Sequence, residues 1–544
     1  MKIKKSKDDE KSKNIYKTQS ILIKKGHPLY EYFDDIMHKS NNLYNATLFR
    51  FRQVYTGFKS STKLHPLQIE IIEEINNSIP LINKKIKESY EKNVAIQKDK
   101  ILEYKKLDEN KDLKDEEIIK KYKLKKYKLN EYKQLTKENS YLSYSLLDNV
   151  YKHTKNIDYR ALPAHVNQQV MKKVFENIDS FFVSLKDYSQ NQSKYSGKPN
   201  LPKYKESGST HEAIFSNQVC EIKKNGTRTL LKFPKTKLTL NLGKYRGFVD
   251  GKLVQVRVQK FYDSIKVEVV IDSGKEKPSV NEEITRLMGL DLGVNNLASC
   301  VSNVGANALI INGKPLKSIN QFYNKEYARL YSSLRVGKKC NEGKFTTKRI
   351  ESLHKKRHLK IKDYFHKSSA RVVKYALENN IQKVIIGKSL DWKKEVEMKK
   401  DNKQSFVYIP HSMFIELLEY KLKEKGIQIE VHEESYTSKA SFLDNDTIPT
   451  YKSETSKKYT FSGKRVSRGL YKTKNKLVLN ADINAAANIL RKHSNIDINI
   501  DRKVLSNIVK INSFNSNNKN SQKINRNTKN SYYVKNKYVN KSVA

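Results

Sequence analysis

The chain has 544 residues, enough at roughly 150 per domain for three or four domains whose cores need no cross-links. Hydrophobic residues make up 37% of it, no apolar run is long enough to span a bilayer, and the basic start MKIKKSKDDEKSKN lacks the apolar stretch of a secretory signal, so no membrane association and a cytoplasmic location are expected. Its 107 Lys and Arg against 58 Asp and Glu leave a net charge of +49, which repels itself in a compact fold unless a polyanion neutralises it.

AT-rich codon usage would enrich Lys and Asn but would not deplete acids, so nucleic acid is the expected partner, with salt-sensitive affinity. Cys220, Cys300 and Cys340 are too widely spaced for CxxC pairs or a disulfide framework, and structural zinc is not expected.

Residues 1–14 are expected to be a disordered basic lead. TQSILIKK at 18–25 alternates as a strand, and Leu29, Phe33, Ile36, Met37, Leu43, Tyr44, Leu48 and Phe51 recur at helical spacing. The Lys/Glu/Tyr-rich stretch 84–138 has opposite charges at helical spacing and predicts a long exposed helical hairpin. Val166, Val170, Val174, Phe175, Ile178, Phe182 and Leu185 form the apolar stripe of a further helix over 162–188. KYSGKPNLPKYKESGS follows, an extended strap that its prolines and glycines keep out of a helix. Period-two segments over 212–272, with Val254, Val256 and Val258, then Ile265, Val267 and Val269, predict hairpins of half a small barrel. From 498 the sequence is Asn/Lys/Ser-rich and reads as a disordered basic tail.

Between 284 and 492, strand-like runs end in acids: ITRLMGLDLGVNN, KVIIGKSLDW and IQIEVHEESYTS, with the helix start ADINAAANILRK last. Helices are predicted at 318–338, 346–380, 409–426 and 481–492, giving a mixed sheet with helices on its faces. Asp291 ends a strand before Gly293, where an Asx turn is the plainer explanation. Asp482 sits before three alanines, where an N-cap is the plainer one. Glu433 and Glu434 end another strand and would otherwise be surface acids. Carboxylates at three element ends in a strongly basic chain nonetheless call for a divalent cation. Hard oxygen ligands suit magnesium, with manganese as the alternative, in a two-metal phosphodiester hydrolase. His354 and His358 share a helical face as a conceivable metal pair, but a basic face towards nucleic acid is the preferred reading. Trp392, the sole tryptophan, is read first as packing and second as a base-stacking platform.

LMGLDLGVNNLAS, LNADINAAANILRK and SGKPNLPKYK, in this order with LPAHVNQQVMKKVFENIDSFF, HKSNNLYNATLFRFRQ and IPHSMFIELLEYKLKEKGIQIEVHEESYTSKASFLD, resemble segments of the TnpB (OrfB) family of insertion sequences, relatives of the compact type V CRISPR effectors. The resemblance implies a multidomain α+β protein. An OB- or wedge-like N-terminal β-barrel over 15–283 would carry an inserted helical recognition lobe at about 27–190. A RuvC-type, RNase H-like α/β nuclease domain would follow over 284–497, and the tail over 498–544. It implies RNA-guided DNA cleavage with magnesium, with guide RNA and double- and single-stranded target DNA as partners, in a prokaryotic cytoplasm at the nucleoid, as monomer or homodimer. Asp291 and Asp482 match the first and third metal-binding carboxylates. Arg50, Arg52, Lys198, Lys203, Lys205 and Trp392 are the candidate nucleic-acid contacts, and the 84–138 insertion is a candidate clamp on the guide scaffold or the duplex.

Two departures from the family pattern stand out. Gly387 occupies the place where many members carry the second carboxylate, so Glu434 or Glu433 must supply it. Glu434 is slightly favoured, although parity along IQIEV puts Glu433 with Ile427, Ile429 and Val431, and the choice stays open. The loop 438–478 lacks the family's cysteine pairs, with Ala440 where one would stand, so packing of Phe442, Tyr459, Phe461 and Tyr471 is expected to hold it. If neither glutamate reaches the other acids, the alternative is a nuclease-dead, RNA-guided repressor. A type V effector proper and a structural RNA-binding protein are the remaining readings.

Overall fold

The computed structural model describes residues 14–60, 63–106, 114–226, 228–243, 251–276, 283–388, 409–449, 459–467, 469–494 and 496–514. The chain forms two compact units, Tyr16–Gly274 and the remainder. No described helix is long and apolar enough to cross a membrane.

The first unit runs β1 (Asn14–Ile23), α1 (Tyr30–Lys59), α2 (Pro66–Lys105), α3 (Asp115–Lys121), α4 (Tyr144–His153), α5 (Ile157–Ala161) and α6 (Val166–Gln190). The strands β2 (Ala213–Ser216), β3 (Glu221–Asn225), β4 (Arg228–Lys232), β5 (Thr239–Gly243), β6 (Lys252–Phe261) and β7 (Ser264–Glu276) complete it. The strands form two sheets, in the orders β1-β7-β6-β2 and β3-β4-β5. Phe33, Met37, Leu48 and Phe51 of α1 and Val170, Val174 and Ile178 of α6 share one core with Phe215, Val256, Val258 and Val267 of the strands. Each such side chain contributes about 1.5–3 kcal/mol by leaving water.

The charged stretch 84–138 departs from the predicted hairpin. α2 continues unbroken to Lys105, but the chain beyond α3 is extended up to Ser143. The reason is a pair of asparagine clamps. The Asn83 amide donates to the Tyr132 carbonyl at 2.8 Å and accepts from the Tyr132 N–H at 2.9 Å. Asn76 treats Leu135 the same way, at 3.0 and 2.7 Å. Seven helical residues rise about 10 Å, as do three extended ones, so both clamps close in register.

The second unit holds β8 (Leu287–Leu292), β9 (Asn296–Ser302), β10 (Ala308–Asn312), α7 (Lys314–Arg335), α8 (Lys348–Glu378), β11 (Lys383–Gly387), α9 (His411–Glu424) and β12 (Gln428–His432). It continues with β13 (Lys464–Ser467), β14 (Leu470–Lys472), β15 (Val478–Asn480), α10 (Ala481–His493), α11 (Arg502–Ser506) and β16 (Ile508–Ile511). Six strands make one sheet in the order β12-β11-β8-β9-β10-β16. β8, β9 and β10 run antiparallel in turn, whereas β11 is parallel to β8, β12 to β11 and β16 to β10. Met288, Leu290 and Leu292 pack with the helices α7, α8 and α9 on one face. Leu287 and Val301 pack with Ile483, Ala486, Ile489 and Leu490 of α10 on the other. The alternation along β8 therefore assigns Asp291 to the α10 face.

Residues 498–514 correct the expectation of a tail without structure. Ile498, Ile500, Leu505 and Ile508 are buried in the core beneath α10, and β16 adds an edge strand beside β10. Four apolar residues in a polar background were enough, because the sheet already offered an edge to pair with. Residues 1–13 and 515–544 lie outside the described residues.

Candidate active site

Asp291 stands one register step beyond the Leu290 and Ile386 pair, which places it beside Gly387, and Gly387 in turn pairs with His432. Neighbours across a sheet share a face, so His432 and, two residues on, Glu434 share the face of Asp291. A Cβ built on Gly387 would lie 3.0 Å from Glu434 Oε2 and 2.4 Å from Ile489 Cδ1. The glycine thus leaves the room that the carboxylate of the adjacent strand occupies. Glu433 points to other partners: Lys492 Nζ donates to it at 2.7 Å, and the Ser435 N–H also donates to it. Burial opposes ionisation of Glu433, but these two donors outweigh it and hold its pKa below the usual carboxylate range.

Asp482 reaches the same place from the helix side. Gly289 lets α10 come so close that a Cβ there would meet the Ala486 carbonyl oxygen at 2.3 Å, which is what the run Ala485–Ala486–Ala487 permits from its side. The N-cap is Asn480, whose side chain accepts from the Asp482 and Ile483 N–H groups at 3.0 and 3.2 Å, so the Asp482 carboxylate is released from capping. Asn296 Nδ2 donates to Asp482 Oδ2 at 2.7 Å, and the Arg465 guanidinium lies 3.6 Å from Oδ1. The Asx-turn explanation of Asp291 is not met either, since the Gly293 N–H goes to the Leu297 carbonyl.

Electrostatics tie the three acids together. Asp291 retains some surface, yet crowding by protein, then Asp482, then Glu434 push its pKa well above the ordinary carboxylate value, with Arg465 opposing. Like charges gathered in a desolvated corner are the signature of a site built for a cation. Among the described residues no three acidic, histidine or cysteine side chains close around a single point as ligands do. In kind, three carboxylates fit a hard divalent ion.

Sequence reading missed Arg465 and Asn296. The GVNN run after Asp291 was a signal for the second; nothing near Arg465 in sequence marks the first.

The loop that lacks cysteines is held by aspartates as well as by Phe442 and Tyr471, the two of the four expected aromatics that are buried. Asp446 accepts from the Ser441 and Ser462 N–H groups, and Asp444 from Ser441 Oγ and the Lys474 N–H. Asn484 and Asn488 of α10 both donate to the Ala440 carbonyl at 2.8 Å, and Asn488 also to Thr437, fixing the segment that follows Glu434.

The nucleic-acid candidates divide. Lys198 and Lys203 are exposed on the strap. Arg52 donates to the Pro202 carbonyl at 2.8 Å and lies over the Tyr204 ring, while Lys205 lies over Tyr44 and its backbone is clamped by Asn45 at 2.9 Å on both sides. Arg50 is turned inward between Glu74, at 3.2 Å, and the Tyr151 ring, so packing engages it. Trp392 lies outside the described residues. His354 meets the Tyr323 hydroxyl at 2.8 Å.

Residues 264–393 match the family model OrfB_IS605, described as a probable transposase. Residues 411–489 match the model for the Cas12f1-like TNB domain. The chain is a TnpB-like protein, related to the compact type V effectors. No curated protein matches it. Among solved structures, this TnpB-like chain is similar to a Cas12f1 in complex with sgRNA and target DNA, at 15% identity and a TM-score of 0.45, covering 88% of this chain and 99% of that one. It is also similar to C2c1 of Alicyclobacillus acidoterrestris with single-guide RNA, at 9% identity and a TM-score of 0.34, covering 84% and 70%. A third is the mini-RNA-guided endonuclease CRISPR-Cas_phi3, at 9% identity and a TM-score of 0.35, covering 64% and 85%.

Proposed function

We propose that this TnpB-like protein is an RNA-guided, magnesium-dependent DNA endonuclease that hydrolyses DNA at the Asp291, Glu434 and Asp482 cluster. The observation that carries the reading is the gathering of three carboxylates from β8, the end of β12 and the first turn of α10, close enough that burial, then Asp482, then Glu434 push the Asp291 pKa up. The sheet order, with an antiparallel β8-β9-β10 meander flanked by parallel β11 and β12, supports the RuvC-type, RNase H-like assignment.

Asp291, Glu434 and Asp482 would hold magnesium, with manganese as the substitute. Such ions activate a water and stabilise the leaving oxygen of a phosphodiester. The chain's own residues prepare the place. Asn296 fixes the Asp482 carboxylate, Gly387 leaves space for Glu434, and Arg465 adds positive charge where an anionic backbone would approach. Guide pairing would supply sequence recognition, with Lys198 and Lys203 contacting phosphates from the strap.

Expression with native flanking DNA, followed by sequencing of the RNA that copurifies, tests the guided reading. A single flank-derived species is expected, and a heterogeneous mixture would overturn it. Asp291→Ala should lower target cleavage by several kcal/mol of transition-state stabilisation, about a thousandfold or more, while the RNA stays bound. Undiminished cutting would remove the site assignment.

A further inference from the structure

We infer that a cavity of about 470 Å³ between α2, the extended segment after α3, and α4 receives one unstacked nucleotide of a bound strand. This inference rests on the nucleic-acid binding proposed above.

The cavity follows from the clamps. Asn76 and Asn83 fasten the extended segment to α2 at heptad spacing through Leu135 and Tyr132. The next heptad position is Tyr90, which has no amide to make the paired bonds. Leu129, the residue a third clamp would hold, is 39% exposed. Segment and helix part there, and the gap between them is the cavity.

Its lining has two chemistries. Ile82, Ile86 and the rings of Tyr90 and Tyr127 form an apolar, aromatic part. Lys85 and Lys128 are exposed along its edge, and neither is in an ion pair among the described residues. Lys152 also lines it but is held by Asp148 at 2.5 Å. No Asp or Glu lines it. Asn93 donates its amide to the Ser89 carbonyl, and Asn149 donates to the Tyr132 hydroxyl and the Ser145 carbonyl, which leaves the Oδ1 of each as an acceptor for a base edge. A flat ring surface beside uncompensated cations suits a ligand that is planar and apolar at one end and anionic at the other, which describes a base with its phosphate. The volume lies within the roughly 300–1,000 Å³ of small-ligand pockets. The strand is guide RNA or target DNA, which share this chemistry.

Photo-crosslinking of the full-length protein separates the sources: short RNA carrying one 4-thiouridine and short DNA carrying one 4-thiothymidine, each mapped by mass spectrometry at raised salt. A principal crosslink within 82–93 or 127–128 is expected, from RNA if the guide is the occupant and from DNA if the target is. Tyr90→Ala should lower the yield at this place about tenfold, whereas Tyr90→Phe, which keeps the ring, should leave it unchanged. Crosslinks confined to other segments, or an undiminished yield in Tyr90→Ala, would overturn the pocket while leaving nucleic-acid binding intact. A wild-type protein that crosslinks to neither probe would overturn both.

Discussion

In the unit of residues 16–274, several enclosed groups meet partners of opposite kind: Arg50 meets Glu74, Asp148 meets both Lys152 and the Tyr159 hydroxyl, and Asn45, Asn76 and Asn83 each clamp a backbone peptide. Around β8 of the other unit, Asp291, Glu434 and Asp482 are gathered beside one another, with Arg465 and Lys510 lightening their charge. Matched groups stabilise a fold, whereas gathered like charges cost stability until something else binds. Two glutamates adjacent in sequence show the difference within one unit. Glu433 is matched by Lys492, and Glu434 joins the acids.

That contrast breaks first if the two glutamates behave alike. Glu434→Gln should reduce cleavage about a thousandfold with little loss of stability. Glu433→Gln should leave the acids in place but remove the charge that balances Lys492, which keeps the Ser435 carbonyl as an acceptor, costing about 2 kcal/mol in urea unfolding. Equal loss of cleavage in both would merge their roles.

The units should also respond to pH with opposite slopes. Burial, then Lys205 and Lys173, push His211 down to about 4 from 6.5. Its fold therefore holds a neutral ring, whose stabilisation is complete above pH 6.5 and lost as pH falls through about 4. The loss is about 3 kcal/mol, and His211→Gln should flatten it in urea titrations of the intact chain. Gly387→Ala tests the space left for Glu434. It should cost about 2 kcal/mol by crowding Ile489 and displace the carboxylate, so cleavage should fall more steeply than melting does.

The smallest effect concerns Asp291, whose raised pKa means that its contribution is present below about pH 4 and lost as pH rises. With chelator present, Asp291→Asn should melt a few degrees above wild type at pH 8, the gap closing towards pH 4 and on adding magnesium. A gap that widens with acid would reverse the assignment.

The sequence by itself was sufficient for α1, α6 and α7 to α10, because an apolar stripe at helical spacing has few other ways to be buried. It also marked Asp291 and Asp482, since acids at element ends stand out in a basic chain. Residues 122–143 were misread because their charge spacing is helical, and what holds them extended is a pair of asparagines some fifty residues away. The tail to 514 was misread because the edge beside β10 is invisible in composition. Between Glu433 and Glu434, parity along one strand could not decide, as the place of the Glu434 carboxylate answers to a glycine on the neighbouring strand. Local pattern specifies elements, but register, close approach at Gly289 and Gly387, and the position of Arg465 against Asp482 exist only once distant segments pack, because those interactions depend on distance in space and not along the chain.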